Sequence, residues 1–188
     1  MTNEAPSPGE ADQALIEAAR RGDPAAFDRL VARHHEVAFR VAVGVLRDDD
    51  AAADAVQDAF VKAFGGLERF RGDARFRTWL LTIVMNEARG ALRRRNRRRE
   101  TALDDVGPVV DTAEAVDRTV VLRDEAARAR RLVDMLPEKQ RLAVTLRIDE
   151  GLGFREIGEL IGSSEGAARV NYHHGIRRLR EKMTDDDM

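Results

Sequence analysis

Apolar residues recur every three or four positions along most of this chain, and that period constrains its fold more than any other feature. Few residues read as strand. The spacing predicts a first helix from about Ala11 to Arg21, ended by Gly22. Asp23 then supplies an N-cap oxygen, and Pro24 suits the first helical position. A second helix carries Phe27, Leu30, Val31, Ala38, Val41 and Val45 and stops near Arg47–Asp50. A third places Val56, Phe60 and Phe64 on one stripe and closes at Gly65-Gly66. After a loop from Leu67 to Arg75, a fourth turns Trp79, Leu80, Ile83, Val84 and Ala88 inward and runs into the stretch RRRNRRR.

The period fails once, from Asn96 to Ala115, where Gly107-Pro108 and scattered acids read as a linker. It resumes near Val116, with Val120, Val121, Leu132, Met135 and Leu136 at apolar positions. Pro137 starts a helix carrying Leu142, Val144, Leu146 and Ile148, and Gly151 and Gly153 end it. The expectation is an all-α chain of two small helical domains, residues 10–97 and 116–183, joined by a flexible linker at 98–115. The C-terminal domain reads as a helix-turn-helix.

Composition narrows the function. The chain has no cysteine, which removes disulfides and thiolate metal sites. No apolar run approaches the ~20 residues that span a bilayer, and the acidic N-terminus lacks the apolar core of a signal peptide. A soluble, cytoplasmic protein without direct membrane insertion is expected. There is no phosphate-binding glycine loop, no metal-ligand cluster and no nucleophile paired with a base. Hence no catalytic residue, cofactor, metal or small-molecule substrate is expected. The formal net charge of -2 conceals a strong segregation. Residues 67–99 carry 11 basic and 3 acidic side chains, whereas residues 1–66 carry 7 and 12. One basic face for a polyanion, with acidic faces for other partners, follows from that division.

The C-terminal stretch FREIGELIGSSEGAARVNYHHGIRRLREKM has helix-turn-helix grammar. Phe154, Ile157, Leu160 and Ile161 form a short apolar face, and Gly162 permits a sharp turn. Ser164 suits the N-cap of the next helix, with Glu165 at its positive end. Ala168, Tyr172, Ile176 and Leu179 then face inward, which sends Arg169, Val170, Asn171, His173 and His174 outward. In a major groove, Arg169 and Asn171 suit bidentate contacts to base edges, and Arg177, Arg178 and Arg180 suit phosphates. The same pattern also fits a plain helical hairpin with a charged outer face.

The basic segment reads FRGDARFRTWLLTIVMNEARGALRRRNRRR. Phe70, Phe76 and Trp79 stand among Arg69, Arg71, Arg75 and Arg77, a mixture of stacking faces and cations suited to single-stranded or opened DNA. Arg89 and Arg93–Arg95 suit duplex phosphates. The alternative is that Phe76 and Trp79 are core and the arginines a solvated face.

These stretches resemble bacterial sigma factors of the extracytoplasmic-function (ECF) group. The likeness rests on FRGDARFRTWLLTIVMNEA followed by LRRR, on DAVQDAFVKAF at residues 54–64, and on LPEKQRLAVTLRIDEGLGFREIGELIG with the helix after it. It covers about residues 12–97 and 128–182, in the family's order. It implies a protein that binds core RNA polymerase and directs it to promoter DNA, reading and opening the -10 element with its first domain and the -35 element with its last. By position, Asp54, Gln57, Asp58, Phe60 and Lys62 would meet the polymerase clamp. Phe70, Arg71 and Arg75 would hold a flipped -10 base, with Phe76, Trp79, Asn86, Arg89, Arg93 and Arg94 beside that site. Ser164, Arg169, Asn171, His173, His174, Arg177 and Arg178 would read or flank the -35 element. An anti-sigma factor is an implied partner. The reading helix departs from the family in being less basic, with Asn171, His174, Gly175 and Ile176. The alternative function is a two-domain helix-turn-helix regulator that is not a polymerase subunit.

Overall fold

The computed structural model describes residues 8–103 and 131–185, and every described regular element is helical. The chain divides into two compact units, one through Gly90 and one from Ala91 on.

In the first unit, α1 (Pro8–Arg20), α2 (Pro24–Leu46), α3 (Asp49–Gly66) and the first half of α4 (Phe76–Leu103), which runs on past the division at Gly90, follow one another through short turns, with one 3-10 turn at Leu67–Arg69. Their boundaries have local causes. Gly22 adopts φ +90°, and the Asp23 carboxylate accepts a hydrogen bond from Ala25 N at 3.0 Å as Pro24 opens α2. Arg47 takes the left-handed conformation at the end of α2, and Asp48 caps α3 by accepting from Ala51 N at 2.9 Å. The core is built from Leu30, Ala38 and Val41 of α2, Ala52, Ala59 and Ala63 of α3, and Leu80, Leu81, Val84 and Ala88 of α4, all fully buried. Small residues along α3 let it lie close to α2. Each fully buried Leu or Val contributes about 1.5–3 kcal/mol.

Three sequence expectations change here. Phe64 does not share the buried stripe of Val56 and Phe60; it is 58% exposed, with its ring edge-to-face with Phe27 at 4.9 Å between centroids. A spacing of four advances about 40° beyond a full helical turn, so two such steps carry Phe64 off the core face. Trp79 and Ile83 are half-buried, because the inward face of α4 centres on Leu80, Leu81, Val84 and Met85. Finally, α4 runs to Leu103, so the first residues of the expected linker continue the helix. The arginines there have good helix propensity and extend a helix already nucleated. The rest of the expected linker, and the apolar positions Val120 and Val121, lie outside the described residues.

In the second unit, residues 131–134 form a helical turn, followed by α5 (Glu138–Ile148), α6 (Phe154–Ile161) and α7 (Glu165–Asp185). Leu132, Leu136, Leu142, Leu146, Leu152, Ile157, Leu160, Ile161 and Ala168 form the core. Arg141 is buried, and its guanidinium donates to the carbonyls of Leu136 at 2.8 Å and Asp134 at 3.2 Å. Met135 and Ile148, expected inside, are 62% and 57% exposed. Each stands one or two positions from a buried leucine, which on a helix points it elsewhere. Where α7 crosses α5 the contact residue is Gly175, which is buried. A Cβ there would lie 2.7 Å from Val144 Cγ2, so only glycine admits this approach.

Candidate nucleic-acid and polymerase interfaces

The turn between α3 and α4 is a loop tied down at both ends. Phe70 and Phe76 are 7% and 3% exposed, with ring centroids 5.9 Å apart. Trp79 completes the cluster, 5.0 Å from Phe70 and 5.7 Å from Phe76. Arg20 of α1 donates from Nε to the Leu67 carbonyl at 3.1 Å and from Nη2 to the Phe70 carbonyl. Between the two phenylalanines, residues 71–75 are exposed. Gly72 has φ +80°, and Arg71 pairs with Asp73 at 2.9 Å. This corrects the expectation that Phe70 and Phe76 stack on bases. Their faces are spent on each other, on Trp79 and on the core, so they hold the loop, whose exposed basic side chains are Arg71 and Arg75. A cleft of about 520 Å³ lies between α1 and this loop, lined by Asp12, Gln13, His34 and Gly72–Arg77 among others.

Along α4, Thr82, Asn86, Arg89 and Arg93 follow steps of four, three and four residues, which places them on one stripe. Asn86, Arg93 and Arg94 are exposed and Arg89 is half-buried. The stripe runs away from the loop, so loop and helix together form a basic track suited to a nucleic-acid backbone.

On α3, Asp54, Gln57 and Asp58 are exposed, as a protein-contact surface requires. Phe60 is not: it is 7% exposed, and His35 stacks on it at 6.3 Å. Lys62 is exposed, but its ammonium lies 2.6 Å from Glu87 Oε1 and ties α3 to α4. The sequence reading missed Val61 and Phe64, which are 67% and 58% exposed. Gln57, Val61 and Phe64 share one outer stripe with Asp54. The available signal was an excess of apolar residues on α3 over what one inward face can hold. Large apolar residues on an outer face rimmed by acids mark a contact for another protein.

In the second unit the turn between α6 and α7 follows its sequence. Gly162 takes φ +63°, Ser163 N donates to Gly158 O at 2.8 Å, and Ser164 Oγ accepts from Ala167 N at 3.1 Å. At the opening of α6 the Glu156 carboxylate accepts from Gly153 N at 3.1 Å. On α7, Arg169, His173, His174, Arg177 and Arg178 are exposed. Asn171 is half-buried, and its amide donates to the Ala167 carbonyl at 2.8 Å, so it is turned back on its own helix and not presented outward. Arg169 is held on two sides: it pairs with Glu165 at 3.1 Å, and its guanidinium lies 5.2 Å from the centroid of Phe154. Arg147 of α5 lies 4.9 Å from the same centroid and donates to Leu152 O at 2.8 Å. Phe154 thereby gathers two cations at the entrance to the turn, and Arg147 joins the candidate interface. Nothing in its spacing marks it; the Phe154 ring brings the two arginines together across helices.

Comparison with known proteins accounts for both units. The model described as Sigma-70 region 2 matches residues 30–98, and the one described as Sigma-70, region 4 matches residues 126–179. The RNA polymerase sigma-H factor of Pseudomonas aeruginosa is 36% identical over 181 residues, covering 92% of this chain and 91% of that one. The ECF RNA polymerase sigma-E factor of Escherichia coli strain K12 is 34% identical over 179 residues, covering 90% and 91%. Among solved structures, that of CnrH in complex with the cytosolic domain of CnrY aligns with a TM-score of 0.68 and 26% identity, over 94% of this chain and 99% of that chain.

Proposed function

The chain belongs to the sigma-70 family of RNA polymerase sigma factors, in its ECF group, and from that membership we propose how its surfaces divide the work. A sigma factor binds core RNA polymerase and directs it to promoter DNA. The loop and α4 take the opened -10 element: Arg71 and Arg75 on the anchored loop meet the unstacked strand, and Asn86, Arg89, Arg93 and Arg94 carry its backbone along α4. The outer face of α3, with Asp54, Gln57, Asp58, Val61 and Phe64, meets the polymerase. The second unit reads the -35 duplex through α7, with Ser164 at its cap and Arg169, His173, His174, Arg177 and Arg178 toward the groove and phosphates; Arg147 joins them. The protein acts as a non-catalytic subunit, its contribution being position and strand capture.

The observation that carries this division is the loop itself. An exposed, arginine-bearing turn held at both ends by buried aromatics is a preorganised feature with no core role. Preorganisation lowers the ordering cost of binding. An anti-sigma factor is a natural partner for the apolar outer face of α3, which a free sigma factor would otherwise leave in water. No described helix is long and apolar enough to cross a membrane.

The test is transcription by core polymerase supplied with this protein alone on genomic DNA. Discrete start sites preceded by two shared elements are expected, and Arg75→Ala should impair opening at them. Duplex binding without initiation would instead make the protein a conventional regulator.

A further inference from the structure

Helix α1 precedes the residues that match the region 2 model, which begin at residue 30. Yet α1 reaches both ends of the loop. At the entry, the Arg20 guanidinium bridges the carbonyls of Leu67 and Phe70, spanning the 3-10 turn from which the loop departs. Only a guanidinium offers donors in a fork wide enough to serve two carbonyls at once. At the exit, Phe76 opens α4 with its ring 5.4 Å from the His34 imidazole. His34 is itself held by α1: its Nε2 lies 2.9 Å from Asp12 Oδ2, and both residues are 7% exposed. The second oxygen of Asp12 lies 3.0 Å from Arg33 Nε, so the carboxylate fixes the imidazole while neutralised on its other side. Between these anchors stand the five exposed residues of the loop, and α1 forms the opposite wall of the cleft beside them.

We propose that α1 is a positioning element for promoter opening, with Arg20 setting the entry of the loop and the Asp12–His34 pair setting its exit. The inference rests on the reading of that loop as the -10 contact. Arg20 touches no DNA in this scheme; it acts through the Leu67 and Phe70 carbonyls. Releasing one anchor returns conformational freedom to residues 71–75, and that freedom must be removed again when a strand binds.

The experiment uses the full chain with core polymerase on a promoter defined by its start sites. Arg20→Ala, Arg20→Lys, Arg75→Ala and the Arg20→Ala/Arg75→Ala pair are compared. Readouts are affinity for a single-stranded oligonucleotide carrying the -10 non-template sequence, permanganate reactivity of opened thymines, affinity for core polymerase, and the unfolding midpoint. Loss of a charge-assisted anchor predicts that Arg20→Ala weakens oligonucleotide binding by about tenfold with core affinity unchanged. Arg20→Lys should fall between, because an ammonium can serve one carbonyl but not hold the fork. The double variant should be little worse than Arg75→Ala alone, since both act through one loop. Additive losses in the double variant, or full binding and opening by Arg20→Ala, would overturn the proposal. So would a loss of core affinity in parallel, which marks general unfolding. Should Arg20→Ala not fold, Arg20→Lys carries the same comparisons. If Arg75→Ala itself has no effect, the loop is not the DNA contact and the inference falls with that reading; an effect of Arg75→Ala without one of Arg20→Lys or Arg20→Ala overturns the role of α1 alone.

Discussion

Replacing Gly175 by alanine sets two opposed effects of similar size against each other. In a helix interior the change gains up to about 1 kcal/mol from backbone entropy. Here the added methyl would stand 2.7 Å from Val144 Cγ2, 3.4 Å from Gln140 O and 3.5 Å from Leu136 Cδ1. Ordinary carbon contacts lie at about 3.5–4.0 Å, so the valine methyl must retreat by about 1 Å. It has little room: Val144 is 2% exposed, and a β-branched side chain in a helix has one strongly preferred rotamer. Overpacking of this kind costs about 1–3 kcal/mol. The net expectation is a loss of about 1 kcal/mol in the second unit. At Gly166 on the same helix an added Cβ would meet nothing within 4 Å, so Gly166→Ala isolates the propensity gain and should be neutral or stabilising. Tyr172 is the sole tyrosine and Trp79 the sole tryptophan, so urea unfolding followed at each reports one unit. Gly175→Ala should shift the tyrosine transition to lower urea and leave the tryptophan transition in place. Val144→Ala costs stability of its own, but the double variant should lose about 1 kcal/mol less than the sum of the two single losses. A Gly175→Ala protein as stabilised as Gly166→Ala would refute the close crossing of α5 and α7.

Phe154→Leu keeps an apolar side chain but removes the ring beneath Arg147 and Arg169. Two cation–π contacts of about 0.5–1 kcal/mol each predict a loss of -35 duplex affinity of about fivefold to thirtyfold at fixed salt, and unchanged affinity would show that the ring does not orient these arginines. Replacing Arg93, Arg94 and Arg95 with alanine should weaken DNA engagement for all sequences and flatten its salt dependence by about 0.9 for each phosphate no longer neutralised; an unchanged slope in a salt titration would remove these arginines from the backbone track. Val61→Ser with Phe64→Ser should leave the unfolding midpoint nearly in place, since both are exposed, and reduce affinity for core polymerase by at least about tenfold. Full core affinity in a competition assay would place the polymerase contact elsewhere.

What could be read from the sequence was what is decided locally. The Asp23 and Ser164 caps and the turn at Gly162 depend on residues within four positions of one another, and they stand where the pattern put them. Errors arose where the deciding partner is distant in sequence. Phe70 and Phe76 among arginines suit base stacking by composition alone, and only their burial against each other and Trp79 shows that they serve as anchors. The role of Gly175 in the helix crossing has no local signal and shows only once Val144 is seen against it. Arg147 has no local signal at all; Phe154 brings it to Arg169 from another helix. The arginine run failed in the opposite sense. A test based on apolar period cannot see a solvated helix, and α4 continues through that run to Leu103.

The two proposed DNA surfaces are unequal in charge, and on α7 the few cations are also engaged by protein partners. On α7, Arg169 pairs with Glu165, Arg177 lies 3.8 Å from Glu181, and Arg178 donates to Gln140 at 3.3 Å. Each of these cations has a protein partner already, so a phosphate must compete with it, and the electrostatic gain is correspondingly small. Such pairs hold side-chain direction, which favours discrimination between bases over affinity. The segment spanning the loop and α4 carries a far larger excess of positive charge, with 11 basic and 3 acidic side chains over residues 67–99. Its contribution should be large, sequence-tolerant and strongly dependent on salt. A duplex reader of low charge binds weakly by itself, and a basic strand-capturing track binds without selecting. Selective initiation therefore requires both to engage one promoter while polymerase holds the protein, so raising salt should abolish opening before it abolishes the preference among -35 sequences. The opposite order, preference lost while opening persists, would show that the base-reading helix depends on phosphate charge after all.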